Sequence, residues 1–164
     1  MAKIMFTGAE DFGERLRKME AADSAAMIQR AVVKGAAPVA DAIRRNINAM
    51  PEQKPIHLAK GKKLHAPQEH EKKDLQDSFG VTPVRADRRG FIHVKAGFDG
   101  YGSVPTKKYP KGVPNQLVAA SIERGSSVRN KWPFIRPAVN KTRQAAVDAM
   151  DESIQKDVGE VFEK

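Results

Sequence analysis

Trp132-Pro133-Phe134-Ile135-Arg136-Pro137-Ala138 is the stretch that organises the rest of this chain. Pro133 and Pro137 fix their own φ and push the residues before them toward extended backbone. Phe134 and Ile135 are therefore expected in an apolar elbow. Pro137 is expected as the first residue of a helix, where its missing N–H removes no hydrogen bond. Downstream, Val147, Met150, Ile154, Val158 and Val161 recur at three and four. That spacing predicts the buried stripe of a long closing helix.

Upstream, the clearest helical period runs through Ile28, Val32, Ala36, Val39, Ile43, Ile47 and Met50. Asp23 or Ser24 can cap this helix, and Pro51 ends it. Gly35 and Pro38 lie inside it and predict a kink or brief break near residues 34–38. A shorter amphipathic helix through Phe12, Leu16 and Met19 is expected before it, after a short strand at residues 3–6. Leu75 and Phe79 flank a turn of helix around Ser78. Gly80 to Arg85 reads as a strand and Asp87-Arg88-Arg89-Gly90 as a hairpin turn, with Gly90 at positive φ. Phe91, Ile92, Val94 and Phe98 mark the returning strand. After Pro114, Leu117, Val118 and Ile122 make the apolar face of a short helix, with a strand as the competing assignment. Gly125-Ser126-Ser127 stops it.

These elements define an α+β fold: a small antiparallel sheet centred on residues 80–98, packed against a long bent N-terminal helix and a C-terminal helix. The 164 residues suffice for one domain with its own core. Two long loops interrupt it. Residues 51–73 hold three prolines and no periodicity and are expected as a mobile arm. Its Lys60, Lys62 and Lys63 are candidate partner contacts. Residues 99–114 are expected as an exposed basic loop carrying Lys107, Lys108 and Lys111.

The net charge of +9 calls for an acidic partner: nucleic acid, a membrane surface or an acidic protein face. Between Gly100 and Val147 the only carboxylate is Glu123, against nine Lys and Arg. Asp148, Asp151, Glu152, Asp157, Glu160 and Glu163 follow. A basic middle beside an acidic end suits head-to-tail protein contacts or a surface facing nucleic acid. Lys107, Lys108, Lys111, Arg129 and Lys131 are the candidate DNA- or subunit-contacting cations. A solvated basic face is the plainer reading. The chain has no cysteine, which excludes disulfides, thiolate nucleophiles and cysteine metal sites. Residues 1–6 are too short and mixed for a signal peptide, and no apolar run approaches the ~20 residues of a membrane span.

Catalytic and ligand chemistry finds no pattern. His57, His65 and His70, with Glu69 and Glu71 nearby, match no tetrahedral zinc spacing, so no metal and no cofactor is expected. His93 lies on a predicted strand. Ser78, Asp77 and His93 can be named as a triad, but nothing in their spacing supports it. Gly97-Phe98-Asp99-Gly100-Tyr101-Gly102 lacks the Lys-Ser/Thr and strand–helix setting of a phosphate loop. Phe91 and Phe98, seven apart, project to opposite faces of a strand rather than forming a stacking platform. Tyr101 and Tyr109 are the only aromatics of the basic loop.

The order of parts resembles one family. Asp74-Leu75-Gln76-Asp77-Ser78-Phe79 leads into the hairpin, and Val118 to Ser127 gives a Glu-x-Gly-Ser turn. The Pro133-Phe134-Ile135-Arg136-Pro137-Ala138 elbow then precedes the last helix. This is similar to the neck or tail-completion proteins of long-tailed bacteriophages, the group typified by the tenth-gene product of a lambdoid siphophage. Leu75, Ser78, Glu123, Gly125, Ser126, Pro133, Phe134, Arg136, Pro137 and Ala138 occupy matching places, and Arg124 stands where that family has an aromatic. The resemblance covers the chain apart from residues 51–73 and 100–114. It implies a virion protein without catalytic residues, assembled in the host cytoplasm. It would sit at the head–tail junction or the top of the tail as a homo-oligomeric ring. Its partners would be other neck and tail proteins and packaged DNA, with no membrane. Trp132, Pro133, Phe134, Ile135, Arg136 and Pro137 would be its structural elbow. A tail terminator, a non-specific nucleic-acid-binding protein and a metal-dependent nuclease using the histidines are the rival readings.

Overall fold

The computed structural model describes residues 21–56 and 61–162. The expected strand at 3–6 and the helix through Phe12, Leu16 and Met19 lie outside them, as do His57 and Lys60. The architecture is α+β. Helix α1 (Ala21–Ala49) is followed by α2 (Glu69–Ser78) and four short strands, β1 (Phe79–Val81), β2 (Arg85–Ala86), β3 (Ile92–His93) and β4 (Ala96–Phe98). Helices α3 (Asn115–Arg124) and α4 (Ile135–Phe162) complete it.

Helix α1 is continuous through Gly35 and Pro38, so of the kink or brief break expected there the break is absent. Pro38 removes one bond to the carbonyl of residue 34, on the exposed side of the helix. Asp23 and Ser24 lie inside the helix rather than at its cap. Helix α4 packs antiparallel along α1. Arg30 Nε donates to Asp157 Oδ2 at 3.0 Å near one end, and Asn46 Nδ2 donates to the Phe134 carbonyl at 2.8 Å near the other.

The buried faces of both helices differ from the expected stripes. Along the N-terminal half of α1 the buried positions are Met27, Ala31 and Gly35, whereas Ile28 is 45% exposed. On α4 they are Ala138, Thr142, Ala146 and Ser153, whereas Val147 and Ile154 are exposed. Val158 and Met150 are half-buried, and the side chain of Val161 lies outside the described residues. The reason is close approach. A Cβ on Gly35 would stand 2.5 Å from Met150 Cγ and 3.0 Å from the Ala146 carbonyl. Helices this close need small residues at the seam, so the large aliphatics are turned off the contact line.

The large side chains are used where α1 passes under the rest of the domain. Ile43, Ile47 and Met50 meet Leu75, Phe79, Phe98, Val118, Ile122 and Phe134 in one core. Phe98 packs against Phe79 and, edge on, against Phe134, at centroid distances of 5.3 and 6.0 Å. The side chain of Leu117 is exposed, so the face of α3 is Val118, Ala119 and Ile122 rather than the expected set.

The expected hairpin is present but split. Phe79 pairs with Phe98 and Val81 with Ala96, whereas Arg85 pairs with His93 and Ala86 with Ile92. The ladder slips by one residue between these blocks. Pro83, which has no N–H to donate, lies in the longer, three-residue side of the gap. At the tip, Gly90 takes φ +82° and its N–H donates to the Asp87 carbonyl at 3.0 Å. Asp87 Oδ1 accepts from the Arg89 and Phe91 amides. Phe98 enters the core and Phe91 is exposed at the tip.

The segment expected as an arm contains the first half of α2. Helix α2 is ten residues long rather than one turn, and Glu71 accepts from the Gln68 amide at 2.9 Å as its capping carboxylate. The described part of 51–68 is hydrogen-bonded within itself and to the body. The Gln53 amide donates to the Pro67 carbonyl, the Leu64 amide to that of Val128, and the Asn130 amide to that of Leu64. Leu64 is buried.

Candidate assembly surface

The elbow joins α3 to α4. Helix α4 begins at Ile135, two residues before the expected start, so Pro137 is the third helical residue. The amides of Phe134, Ile135 and Arg136 all donate to the Glu123 carboxylate, at 2.7, 2.9 and 3.0 Å. A helix start leaves its first N–H groups without partners. Here three are taken by one carboxylate from α3, and the next position is a proline that has none. Glu123 also sits at the positive end of the α4 dipole. Burial raises its pKa, but the three amides and the nearby Arg136 outweigh that and hold it below the ordinary carboxylate value.

Phe134, the side chain that follows, is fully buried. The Trp132 amide donates to the Ile122 carbonyl at 2.8 Å, tying the other side of the elbow to α3. Gly125 ends α3 at φ +77°, with the Lys131 backbone 3.2 Å from where a Cβ would be. Glu123, Gly125 and the proline-flanked elbow are thus one device that turns the chain from α3 into α4. The sequence pattern placed these residues together, but the capping role of Glu123 had no local signal, because its partners are eleven to thirteen residues away.

The candidate cations among the described residues separate into four groups. Lys107, Lys108 and Lys111 are exposed on the basic loop, and Lys108 Nζ lies 5.5 Å from the Tyr109 ring centroid. The base of that loop is closed by the Gly102 amide on the Val113 carbonyl and by Asp74, which accepts from the Ser103 amide and hydroxyl. Lys62 and Lys63 are exposed beside buried Leu64. Arg129 departs from expectation: it is buried, and its guanidinium is paired with Glu71, with Nη1 3.2 Å from Oε2. It locks the 126–130 turn to α2 and is not part of an exposed basic surface. Lys131 and exposed Trp132 line an open cleft of about 510 Å³ with Ala49, Pro133 and Pro137.

Of the residues considered for catalysis, Ser78 Oγ is buried without a hydrogen-bond partner. His93 Nδ1 lies 3.2 Å from the Phe91 carbonyl, and His65 Nδ1 lies 3.2 Å from Asn130 Nδ2. The described residues bring no group of three or more His, Asp or Glu together as a metal site. No described helix is long and apolar enough to cross a membrane.

No curated protein and no solved structure gave a significant match to the chain. One family did. The family described as "Bacteriophage HK97-gp10, putative tail-component" matches residues 10–109. The matched span includes α1, α2, the split hairpin and the start of the basic loop, and it ends before α3 and the elbow. Over that span, well above half of its length, the chain belongs to the HK97-gp10-like family of bacteriophage tail components.

Proposed function

We propose that this protein is a structural component of the head–tail junction of a long-tailed phage. It acts as a neck or tail-completion protein in a homo-oligomeric ring. The observation that carries this reading is the family membership. The charge distribution supports it. Residues 37–146 hold twenty-one Lys and Arg against nine Asp and Glu, a net charge of +12, whereas residues 147–164 hold two against six, a net charge of −4. A ring needs two different faces on each subunit, and a chain divided this way offers them. The role is one of binding and positioning and uses no catalytic residue, metal or cofactor.

Electron microscopy of lysates from a phage lacking this gene tests the placement. Filled heads separated from finished tails are expected. Complete infectious particles would overturn it. Lys107, Lys108 and Lys111 either face packaged DNA or meet a neighbouring neck or tail protein. Reversing all three charges separates these roles: intact junctions that leak DNA assign them to the DNA, and failed joining assigns them to the protein contact.

The +12 body also favours a second reading, non-specific nucleic-acid binding by the free subunit. Counterion release makes such binding fall steeply with salt. Tight, salt-sensitive binding of duplex DNA by the isolated monomer, together with normal virions in the gene deletion, would favour it over the junction role.

A further inference from the structure

The α1–α4 pair has two unlike ends. At one end, beyond the part covered by the sheet and α3, large aliphatics on both helices are left partly exposed among the described residues. Ile28 is 45%, Val147 40% and Ile154 36% exposed, and Val32 is half-buried between them and the seam. Ile28 and Val32 are rotated off the Met27–Ala31–Gly35 contact line in the same sense as Val147 and Ile154 are off the Ala146–Ser153 line. In an antiparallel pair, equal senses of rotation converge on one side. The result is an apolar shelf, and the α4 half that carries it is acidic: Asp148, Asp151, Glu152, Asp157 and Glu160 against Lys156. Toward the other end, roughly 20–30 Å away along the helix pair, lies the Trp132 cleft. It is apolar at Ala49, Pro133 and Pro137, and the exposed Lys131 is the cation of its lining.

We propose that the acidic apolar shelf of one copy seats on the Trp132 cleft of the next. The proposal rests on the ring reading above and names its two faces. The surfaces are complementary in both respects that matter. Each is apolar at its centre, and Asp151, on the same helix face between Val147 and Ile154, is opposite in charge to Lys131 of the cleft, which steers encounter and rejects like-with-like contacts. A partly exposed Trp at the edge of a cleft is the side-chain type that most often anchors such interfaces. The faces lie at opposite ends of one rigid pair, so a single copy cannot satisfy both itself. The contact is head-to-tail and repeats until it closes.

The absence of native cysteine makes the test direct. Two differently tagged full-length chains, one Ile154→Cys and one Lys131→Cys, are mixed under assembly conditions and treated with a short bismaleimide. The expected product is the mixed cross-linked dimer, in at least tenfold excess over either self-linked dimer. A chain carrying both substitutions is expected to give a ladder that ends at the ring number. Trp132→Ala, at an exposed position, is expected to weaken wild-type assembly about tenfold or more without a change in helical circular dichroism. Raising the salt should weaken it further.

Rings of wild-type protein that give no mixed product, or Ile154→Cys chains that link to each other, would overturn these faces and leave the ring reading standing. So would a thiol at position 154 that resists alkylation in the isolated monomer, because the shelf would then be covered by the same chain. Wild-type protein that never self-associates, alone or in particles, would overturn both.

Discussion

The two ends of α4 are held in different ways. At its start, Phe134 is buried under Phe98, three backbone amides are held by Glu123, and Asn46 reaches across from α1. At its far end the helix rests on α1 through a seam of small residues and an Arg30–Asp157 pair whose arginine is exposed. The first end gains from large buried side chains and satisfied polar groups. The second gains chiefly from close backbone approach and leaves Ile28, Val147 and Ile154 partly outside. A helix whose two halves are built this way has one end committed to the fold and another available to a partner.

The sharpest way to break this contrast is at the committed end. Phe134→Ala should cost about 3–5 kcal/mol, the usual loss for a buried aromatic that leaves a cavity. For a domain of this size that is a fall in melting temperature of roughly 10 °C. A fall of under a degree would mean that the elbow does not close the core. Ile154→Ala, at the free end, should lower the melting temperature of the monomer by only about 2–4 °C, since the side chain is already 36% exposed.

Gly35 tests the seam. Ala is the better helix former by roughly 0.5–1 kcal/mol, so an isolated helix would gain from Gly35→Ala. In this pair the new Cβ would meet Met150 Cγ, which can move, and the Ala146 carbonyl, which is helix backbone and cannot. The expected net result is destabilisation by about 1–3 kcal/mol, as for other overpacked contacts. A stabilised variant, measured by urea denaturation, would show that α1 and α4 lie farther apart than the structure places them.

Glu123 tests the cap. Glu123→Ala strands three amides at the start of α4 and should cost about 1–2 kcal/mol, the upper part of the range for lost caps. The same carboxylate sets a pH dependence. Its folded pKa is lowered from 4.5, so its contribution is fully present above that value and is lost as pH falls through the lower folded one. Wild-type protein should therefore lose stability relative to Glu123→Gln on acidification below about 4.5, and the two should run parallel above it. Parallel curves at every pH would remove the charge from the account and leave only the hydrogen bonds.

The class of the fold was legible in the sequence because it depends on local signals: helical periodicity, the Asp87–Gly90 turn, and proline and glycine at element ends. The hairpin, the stop at Gly125 and the closing helix follow from these. Which face of a helix is buried depends on the partner, and there the reading erred. Ile28, Val147 and Ile154 fall on perfectly periodic stripes, yet the seam chose Ala31, Gly35 and Ala146, because small residues allow the closest approach. Periodicity shows that a helix has an apolar side and cannot show that two helices meet beside it. Helix α2 was shortened for the opposite reason. Its sequence is polar on nearly every side around Leu75, so no stripe announces it, and its start depends on the Glu71 cap. Arg129 read as one more exposed cation because its partner, Glu71, lies fifty-eight residues away.

The smallest expected effect is also the most discriminating for the free end. Arg30 and Asp157 form the only described ion pair linking the two long helices, with side chains 56% and 13% exposed. Exposed pairs contribute about 0–1 kcal/mol. Asp157 is largely buried, so Arg30→Ala should lower monomer stability by about 0.5–1 kcal/mol, and by less at high salt. If the acidic end of α4 exists to meet the basic cleft of another copy, the same substitution makes that end more negative and should leave assembly unchanged or slightly tighter. Asp157→Ala removes the same intrachain pair but also one of the acidic charges, and should weaken assembly. A double-mutant cycle read in both monomer stability and ring formation separates these contributions. Equal effects of the two substitutions on assembly would show that Asp157 serves only its own chain.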